Sequence, residues 1–349
     1  MSGCAMVQVR IGNKSVGEGQ PVFIIAEIGY NFNTIAEAKA SIEAAVECGV
    51  DAVKFQTFKA ETITSRNTDF PAEAGATNQF EEFKRYEISE AVHRELFDHA
   101  RRCGTIAFST PSYFDDVELL ERLEVPAHKI GSDDLTNLPF LKYVAEKKRP
   151  VIFSTGMGTL AEVDEAVQTI RATGNDQFII LHCVSNYPIR DPRIVNLRAI
   201  QTFRQAFGAL VGFSDHTTTL SVSLGAVALG ASVIERHFAL DKRLDVPDAF
   251  FSADPAEMKA LVHGIRELEQ ALGDGVKRPT PTEMMMRQET RKSTIARMDI
   301  SPGEIVTSDK MIVKRPGTGV SPKFAHLVPG RRAKLAIKAD EVITWEKLD

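Results

Sequence analysis

The sequence predicts an α/β protein, a (β/α)8 barrel followed by a small all-β module, and three observations predict it. Eight short runs rich in β-branched and aromatic residues recur between residues 23 and 238. A segment of helical periodicity follows most of them. After Gly273 the texture changes to short strand-like runs separated by Pro and Gly. Length agrees, since 349 residues at roughly 150 per domain give about two domains.

The eight runs are FIIAEIG (23–29), AVKFQTF (52–58), TIAFSTP (105–111), AHKIGS (127–132), VIFSTG (151–156), FIILHCV (178–184), LVGFSD (210–215) and VIERHF (233–238). Between them, IAEAKASIEAAVECG (35–49), LAEVDEAVQTIRATG (160–174) and DPAEMKALVHGIRELEQALG (254–273) carry apolar residues at helical spacing and close on glycine, as helix ends prefer. Near-continuous apolar strands joined by helical crossovers belong to parallel sheets. Eight such units over about 250 residues point to a closed barrel. A doubly wound sheet is the competitor, but no GxGxxG follows the first strand to cradle a dinucleotide.

The barrel is placed at 1–276 and a linker at 277–290, where GDGVKRPTPTEMMMRQET shows neither period 2 nor period 3.6. Residues 291–349 read as the all-β module, with STIARM, IVKR, RAKLAI and VITWE as strands. Forty-two basic against 47 acidic side chains leave a net charge of −5, which supports neither nucleic acid nor an anionic membrane as partner. Cys4, Cys48, Cys103 and Cys183 are scattered, without a CxxC pair, and read as reduced thiols. The amino terminus lacks the apolar run of a signal peptide, and the longest uncharged stretch, Thr217 to Ile234, is broken by Thr, Ser and Gly. A cytoplasmic protein without a transmembrane segment is therefore expected.

Chemistry in such a barrel collects at the carboxyl ends of the strands. Those ends carry Glu27, Lys54 and Gln56, Ser109 and Thr110, Lys129, Ser132, Asp133 and Asp134, Ser154 and Thr155, His182 and Ser185, Ser214, Asp215 and His216, and Glu235 with His237. Singly, each reads as a satisfied core or capping group; their convergence on one rim argues for a site, because each is costly to desolvate alone. Lys54 and Lys129, inside apolar strands, need a counter-charge from an acid or an anionic ligand. With hydroxyls at 132, 154 and 214 they describe a pocket for phosphate or carboxylate. His216 and His237, one βα unit apart, can share a divalent metal of the Mn2+ or Mg2+ kind, or simply hydrogen-bond in the mouth.

The blocks AEIGYNFN (26–33), DAVKFQTF (51–58), HKIGSDDLTN (128–137), IFSTGM (152–157), LHCVSNYP (181–188), FSDHT (213–217), ERHFALDK (235–242) and KRPGTGVSP (314–322) together resemble the sialic acid synthase family. The resemblance runs from about residue 20 to the carboxyl end. It implies a C–C bond-forming transferase of the N-acetylneuraminate synthase type. Such an enzyme joins phosphoenolpyruvate to the aldehyde of an N-acyl hexosamine such as N-acetylmannosamine, giving a nine-carbon 2-keto acid and phosphate. It implies a barrel with an antifreeze-like SAF domain and a domain-swapped homodimer. Lys54, Lys129, Ser132, Ser154, Ser185 and Ser214 match positions that hold phosphoenolpyruvate. His216 and His237 match metal ligands, for Mn2+ first and Mg2+ or Co2+ as alternatives. Glu27 matches a carboxylate proposed for proton transfer, and Gln56, Asp134, Tyr187 and Asp248 match sugar contacts. Arg315 matches an arginine presented across the dimer to the acyl group.

The chain also departs from the family. GINHNG is GYNFNT here, placing Phe32 and Thr34 where histidine and glycine are usual, and Asp133 replaces the glycine of GSGD. VPDAFFSADP (246–255) stands where PDHKASLEP is common. Phe250 and Phe251 read either as the wall for a deoxy, diacylated hexose, as in pseudaminic or legionaminic acid synthesis, or as an apolar hinge. A non-catalytic sugar-binding relative and a metal-dependent aldolase or hydrolase are the other classes that the same barrel could carry.

Overall fold

A computed structural model describes residues 7–70 and 78–349, so Cys4 lies outside the described residues. The chain divides into two compact units, Met1–Gly273 and Asp274–Asp349.

The first unit opens with an antiparallel hairpin, β1 (Gln8–Ile11) and β2 (Lys14–Gly17), that buries Val9, Ile11 and Val16. It lies ahead of the first strand read from sequence; VQVRI and KSVG around the turn at Gly12 were its signal. The barrel follows as β3 (Phe23–Gly29), α1 (Ile35–Cys48), β4 (Ala52–Thr57), α2 (Ala60–Ile63), α3 (Gln79–Tyr86), α4 (Glu90–Arg102), β5 (Ile106–Pro111), α5 (Phe114–Arg122) and β6 (His128–Ile130). It continues with α6 (Leu138–Glu146), β7 (Val151–Ser154), α7 (Leu160–Ala172), β8 (Phe178–Cys183), α8 (Ala199–Phe207), β9 (Leu210–Asp215), α9 (Leu220–Ala228), β10 (Val233–His237) and α10 (Pro255–Leu272). All eight runs read from the sequence are strands, trimmed by up to three residues.

The eight pair in parallel in the order β5-β4-β3-β10-β9-β8-β7-β6. Last and first join through β10 and β3, with Glu235 opposite Ile25 and His237 opposite Glu27. β5 and β6 lie side by side without a ladder among the described residues, so the barrel is nearly closed. Strand bodies are buried on both faces, as β-branched and aromatic residues between two apolar layers must be. The helices cover them with one face each: α1 buries Ile42 between Ala38 and Ala45, whose small side chains allow close approach to the sheet.

The stretch 277–290, read as a linker, contains a helix, α11 (Pro281–Thr290). Thr280 and Glu283 cap each other's backbone reciprocally and Pro281 opens the first turn, a local signal sufficient to start a helix without an apolar face. Met284, Met285 and Met286 are exposed. In the second unit, β11 (Ser293–Ala296) and β12 (Met311–Lys314) form an antiparallel ladder. The runs RAKLAI and VITWE make only isolated bridges, such as Ile300 with Ile337 and Ile295 with Val342. Their turns break pairing before a ladder can lengthen. Ile300, Val306, Val320, Ile337 and Ile343 nevertheless form this unit's own core.

Two of the family departures have structural reasons. Thr34 is the N-cap of α1, accepting from the Glu37 amide at 3.1 Å while Glu37 accepts from the Thr34 amide. Phe32 is buried edge-on against Phe55, with ring centroids 6.3 Å apart. Thr34→Ala is expected to cost about 1 kcal/mol and Thr34→Gly only a few tenths, read as shifts of the urea unfolding midpoint; equal losses would show that the cap is idle.

Candidate active site

Side chains alternate along a strand, and that alternation sorts the rim residues into two groups. Gln56 and Lys54 on β4, Glu27 on β3, Glu235 on β10 and Ser214 on β9 are joined in one chain of contacts in the barrel mouth. Ser109, His182, Asp215 and Arg236, one residue out of step, face the helices instead. Ser109 bonds Thr57, which bonds His93, and His182 meets the Val195 carbonyl at 2.6 Å and packs on Phe213. Those two rim positions belong to the outer layer and not to the mouth.

Four buried charges form the centre. Lys54 Nζ lies 2.8 Å from Glu27 Oε2 and 3.8 Å from Glu235 Oε2, and donates to Thr110 Oγ1 at 3.0 Å. Lys129 Nζ lies 3.7 Å from Glu235 Oε1 and donates to Ser154 Oγ at 2.7 Å and to the Ile130 carbonyl at 3.0 Å. Ser214 Oγ donates to Glu235 Oε1 at 2.9 Å, and Gln56 Nε2 donates to Glu27 Oε1 at 3.0 Å. Glu235 thus ties the two lysines together. Burial pushes its carboxyl up, but Lys129 and Lys54 outweigh burial and hold it well below the usual range. Glu27 is different: burial raises its carboxyl further than the Lys54 ammonium lowers it. Burial also lowers the Lys129 ammonium, whereas Lys54, between two carboxylates, is raised despite burial.

Beside this cluster, three strand ends bring hydroxyls together. Ser132, in the turn after β6, accepts from the Gly156 amide at 2.9 Å and touches Cys183 Sγ at 3.6 Å. A Cβ on Gly156 would collide with Ser185 Oγ and come within 2.8 Å of Ser132 Oγ, so glycine is required for the three to meet. Glu235 Oε2, Ser185 Oγ and His237 Nδ1 are buried without a hydrogen-bond partner. Three such atoms in one mouth mark a place for a polar ligand, since an unsatisfied buried polar group costs about 1–3 kcal/mol.

His216 and His237 lie with ring centroids 5.3 Å apart. His216 Nδ1 meets the Val184 carbonyl at 2.9 Å, which fixes a tautomer whose other nitrogen is free to ligate. Tyr187 covers His216 at 4.2 Å, and Phe251 packs on His237 at 5.0 Å and on Tyr187 at 5.7 Å. Asp248 Oδ2 stands 3.4 Å from His237 Nδ1. Its amide donates to Asn31 Oδ1 at 3.1 Å, and the Asn31 side chain also bonds Phe238 and Ser252, so Asn31 pins the loop after β10. Asp134, at the end of the Ser132 turn, has its carboxyl pushed up to about 6 by burial, with Asn137 opposing and Asp133 adding to the rise. Arg315 stands in the second unit, after β12.

The sequence reading named Glu235 and Asp215 only as rim residues, without the bridge or the brace, and did not single out Cys183, Asn31 or Arg236 as site contributors. Arg236 donates to Asp215 Oδ2 at 2.7 Å and to the carbonyls of Thr217 at 2.7 Å and Thr219 at 3.3 Å, and Asp215 Oδ1 accepts from the Thr217 amide at 2.8 Å. This buried brace holds the loop that carries His216. Its signal was a charged residue flanked by Glu235 and His237 on an apolar strand.

Comparison with known proteins identifies the family of both units. The pattern defining the NeuB family matches residues 41–277, and that of the SAF domain matches residues 291–349. The N,N'-diacetyllegionaminic acid synthase of Legionella pneumophila is 40% identical over 97% of this chain and 98% of its own length. The pseudaminic acid synthase of Campylobacter jejuni is 34% identical over 96% and 98%. The crystal structure of the N-acetylneuraminic acid synthetase of Leptospira borgpetersenii, in complex with citrate, is 31% identical and superposes with a TM-score of 0.74, covering 80% of this chain and 95% of that one.

Arg236→Met leaves Asp215 as an uncompensated buried charge and is expected to cost about 3–5 kcal/mol. The double variant with Asp215→Asn should recover a substantial part. Additive losses in urea unfolding of the two single variants and the double would refute the brace.

Proposed function

The chain belongs to the NeuB family and carries a SAF domain, and from that premise we propose that it condenses phosphoenolpyruvate with the aldehyde of an N-acyl hexosamine, releasing phosphate and forming a nine-carbon 2-keto acid. One observation carries the reading: two buried lysines, balanced by carboxylates, share a mouth with converging serine hydroxyls and partnerless buried polar atoms.

Lys54 and Lys129 supply the positive charge for a phosphate and a carboxylate, and Ser132, Ser154, Ser185 and Ser214 supply neutral hydrogen-bond donors. Glu235 keeps both ammoniums oriented. In the condensation the enol carbon bonds to the aldehyde carbon and the aldehyde oxygen gains a proton. Water then adds to the carbon that bears the phosphate and loses a proton; the bond from that carbon to the phosphate oxygen breaks as the new hydroxyl becomes the ketone, and its remaining proton passes to the departing phosphate. Glu27 is the proton carrier in this reading, because burial keeps its carboxyl above the ordinary range and so nearer to working pH. His216 and His237 would hold a divalent cation, Mn2+ first and Mg2+ or Co2+ as alternatives. The fit rests on the Val184 contact that frees one His216 nitrogen and on the partnerless His237 Nδ1. When bound, such a cation polarises the acceptor carbonyl as a Lewis acid. Gln56, Asp134, Tyr187 and Asp248 would orient the sugar. The reading includes a domain-swapped homodimer in which one protomer's SAF domain offers Arg315 to the acyl group at the other's site.

A second reading of the acceptor, a deoxy, diacylated hexose in place of N-acetylmannosamine, is favoured by the buried Phe251 ring beside Tyr187 and His237. An apolar wall there accommodates a methyl group better than a hydroxymethyl. The legionaminic and pseudaminic acid synthases among the relatives support it.

Phosphate release from phosphoenolpyruvate is expected only with an added amino sugar and is expected to stop on chelation. Across N-acetylmannosamine and diacetamido-trideoxyhexoses, product mass identifies the acceptor; release indifferent to sugar and chelator would overturn the reading. A pH dependence follows from Asp134, whose folded value of about 6 lies above the ordinary 3.8. The protonated form suits the fold, so its stability contribution is present below about 3.8 and is lost as pH rises through about 6. Its ionised form is the better hydrogen-bond acceptor for sugar. KM for the acceptor should therefore rise as pH falls from 7 through 6, and Asp134→Asn should remove that inflection while stabilising the protein at pH 7. An unchanged KM profile in the variant would remove Asp134 from the sugar site.

A further inference from the structure

On the outside of the barrel, far from the mouth, a second group of metal-type donors meets across two helices. Glu43 of α1, His99 in the last turn of α4 and Cys103, which caps α4, each offer one ligand atom, and the three atoms lie within 4.8 Å of one another. Among the described residues no other set of three His, Cys, Asp or Glu side chains comes this close. The chain runs from Cys103 directly into the start of β5, so this cluster sits at the amino-terminal end of the strands, opposite the candidate active site. We propose that Glu43, His99 and Cys103 form a binding site for a borderline-soft divalent transition-metal cation of the Zn2+ class, clasping α1 to α4.

The donor set and spacing fit such an ion. Cys, His and a carboxylate are the ligands of tetrahedral Zn2+, and bond lengths near 2.0–2.3 Å put neighbouring donors about 3.3–3.6 Å apart. Reaching that from 4.8 Å asks for side-chain rotation only, and Glu43 is exposed and free to make it. His99 and Cys103 are four residues apart, one turn of the same helix, as the Cys103 amide bond to the His99 carbonyl at 3.0 Å shows. They therefore share a face. Two protein anions, thiolate and carboxylate, neutralise a dication, and the carboxyl end of a helix adds negative potential. The fourth position is left to water.

An ordinary ion pair explains the cluster less well. His99 Nε2 is closed off from solvent and stands 2.9 Å from Glu43 Oε1, yet the two are not aligned as a hydrogen bond. The same helix pair already carries an ion pair, Lys39 with Glu95, and no ion pair needs a thiol beside it. Arg102 is the cation facing the ring. Its Nη2 is 3.5 Å from His99 Nδ1, at the outer limit of a hydrogen bond, and the exposed side chain can turn into water when the imidazole is ligated.

Co2+ is the probe, because thiolate ligation gives a near-ultraviolet charge-transfer absorption that nitrogen and oxygen ligands do not. Full-length protein stripped by chelator and titrated with Co2+ should develop that band at one equivalent of thiolate-bound metal. Cys103→Ser should abolish the band, and Cys183→Ser, at the other end of the barrel, should leave it. Glu43→Gln should raise the Co2+ concentration for half-saturation about tenfold or more. Phosphate release should be unchanged in Cys103→Ser, whose circular dichroism checks the fold. Absence of the band in the wild type, or its survival in Cys103→Ser, overturns the proposal.

Discussion

The buried pairing of Lys54 and Lys129 with Glu27 and Glu235 is the constraint on which the rest of the barrel mouth depends. Two ammonium groups cannot remain in an apolar barrel without compensation, and the carboxylate of Glu235 serves both. Glu235, facing both lysines, is held ionised, whereas burial outweighs the one lysine beside Glu27, which keeps a proton more readily. Four charges thereby acquire different characters from position alone. Burial raises Glu27 most, and the neighbouring Glu235 charge adds to that rise.

The hydroxyl groups depend on backbone and not on charge. Ser132 and Ser185 approach each other only because Gly156 between them has no side chain. The histidines depend on a third device, the Arg236–Asp215 brace on the outer side of β9 and β10, which fixes the turn beyond Asp215 through two carbonyls. Charge, crowding and bracing are mechanically separate, so one element can change without dissolving the others. The loop after β10 that carries Phe250 and Phe251 is anchored by Asn31, in the turn after the neighbouring β3.

Much of this was legible in the sequence because strand alternation and βα periodicity are local signals. FIIAEIG and LVGFSD announce their strands, and a lysine in AVKFQTF announces a buried charge. What was not legible depends on partners distant in the chain. Glu235 looked like one more rim acid, since nothing local says that its two oxygens face lysines 181 and 106 residues away. Ser109 and His182 look like rim residues until phase along the strand is known, and a one-residue shift sends them to the helices. The amino-terminal hairpin was passed over because its two strands are only four residues each. α11 was read as a linker because its stability signal is a cap and not an apolar stripe.

The unladdered join between β5 and β6 gives the barrel a seam. Lys54 sits on one bank, on the strand beside β5, and Lys129 on the other, on β6 itself. Across the seam itself no ladder among the described residues joins the two banks, while the two lysine side chains reach a common carboxylate on β10. A multivalent anion gripped by both lysines would span that gap in the ladder from the inside of the cylinder.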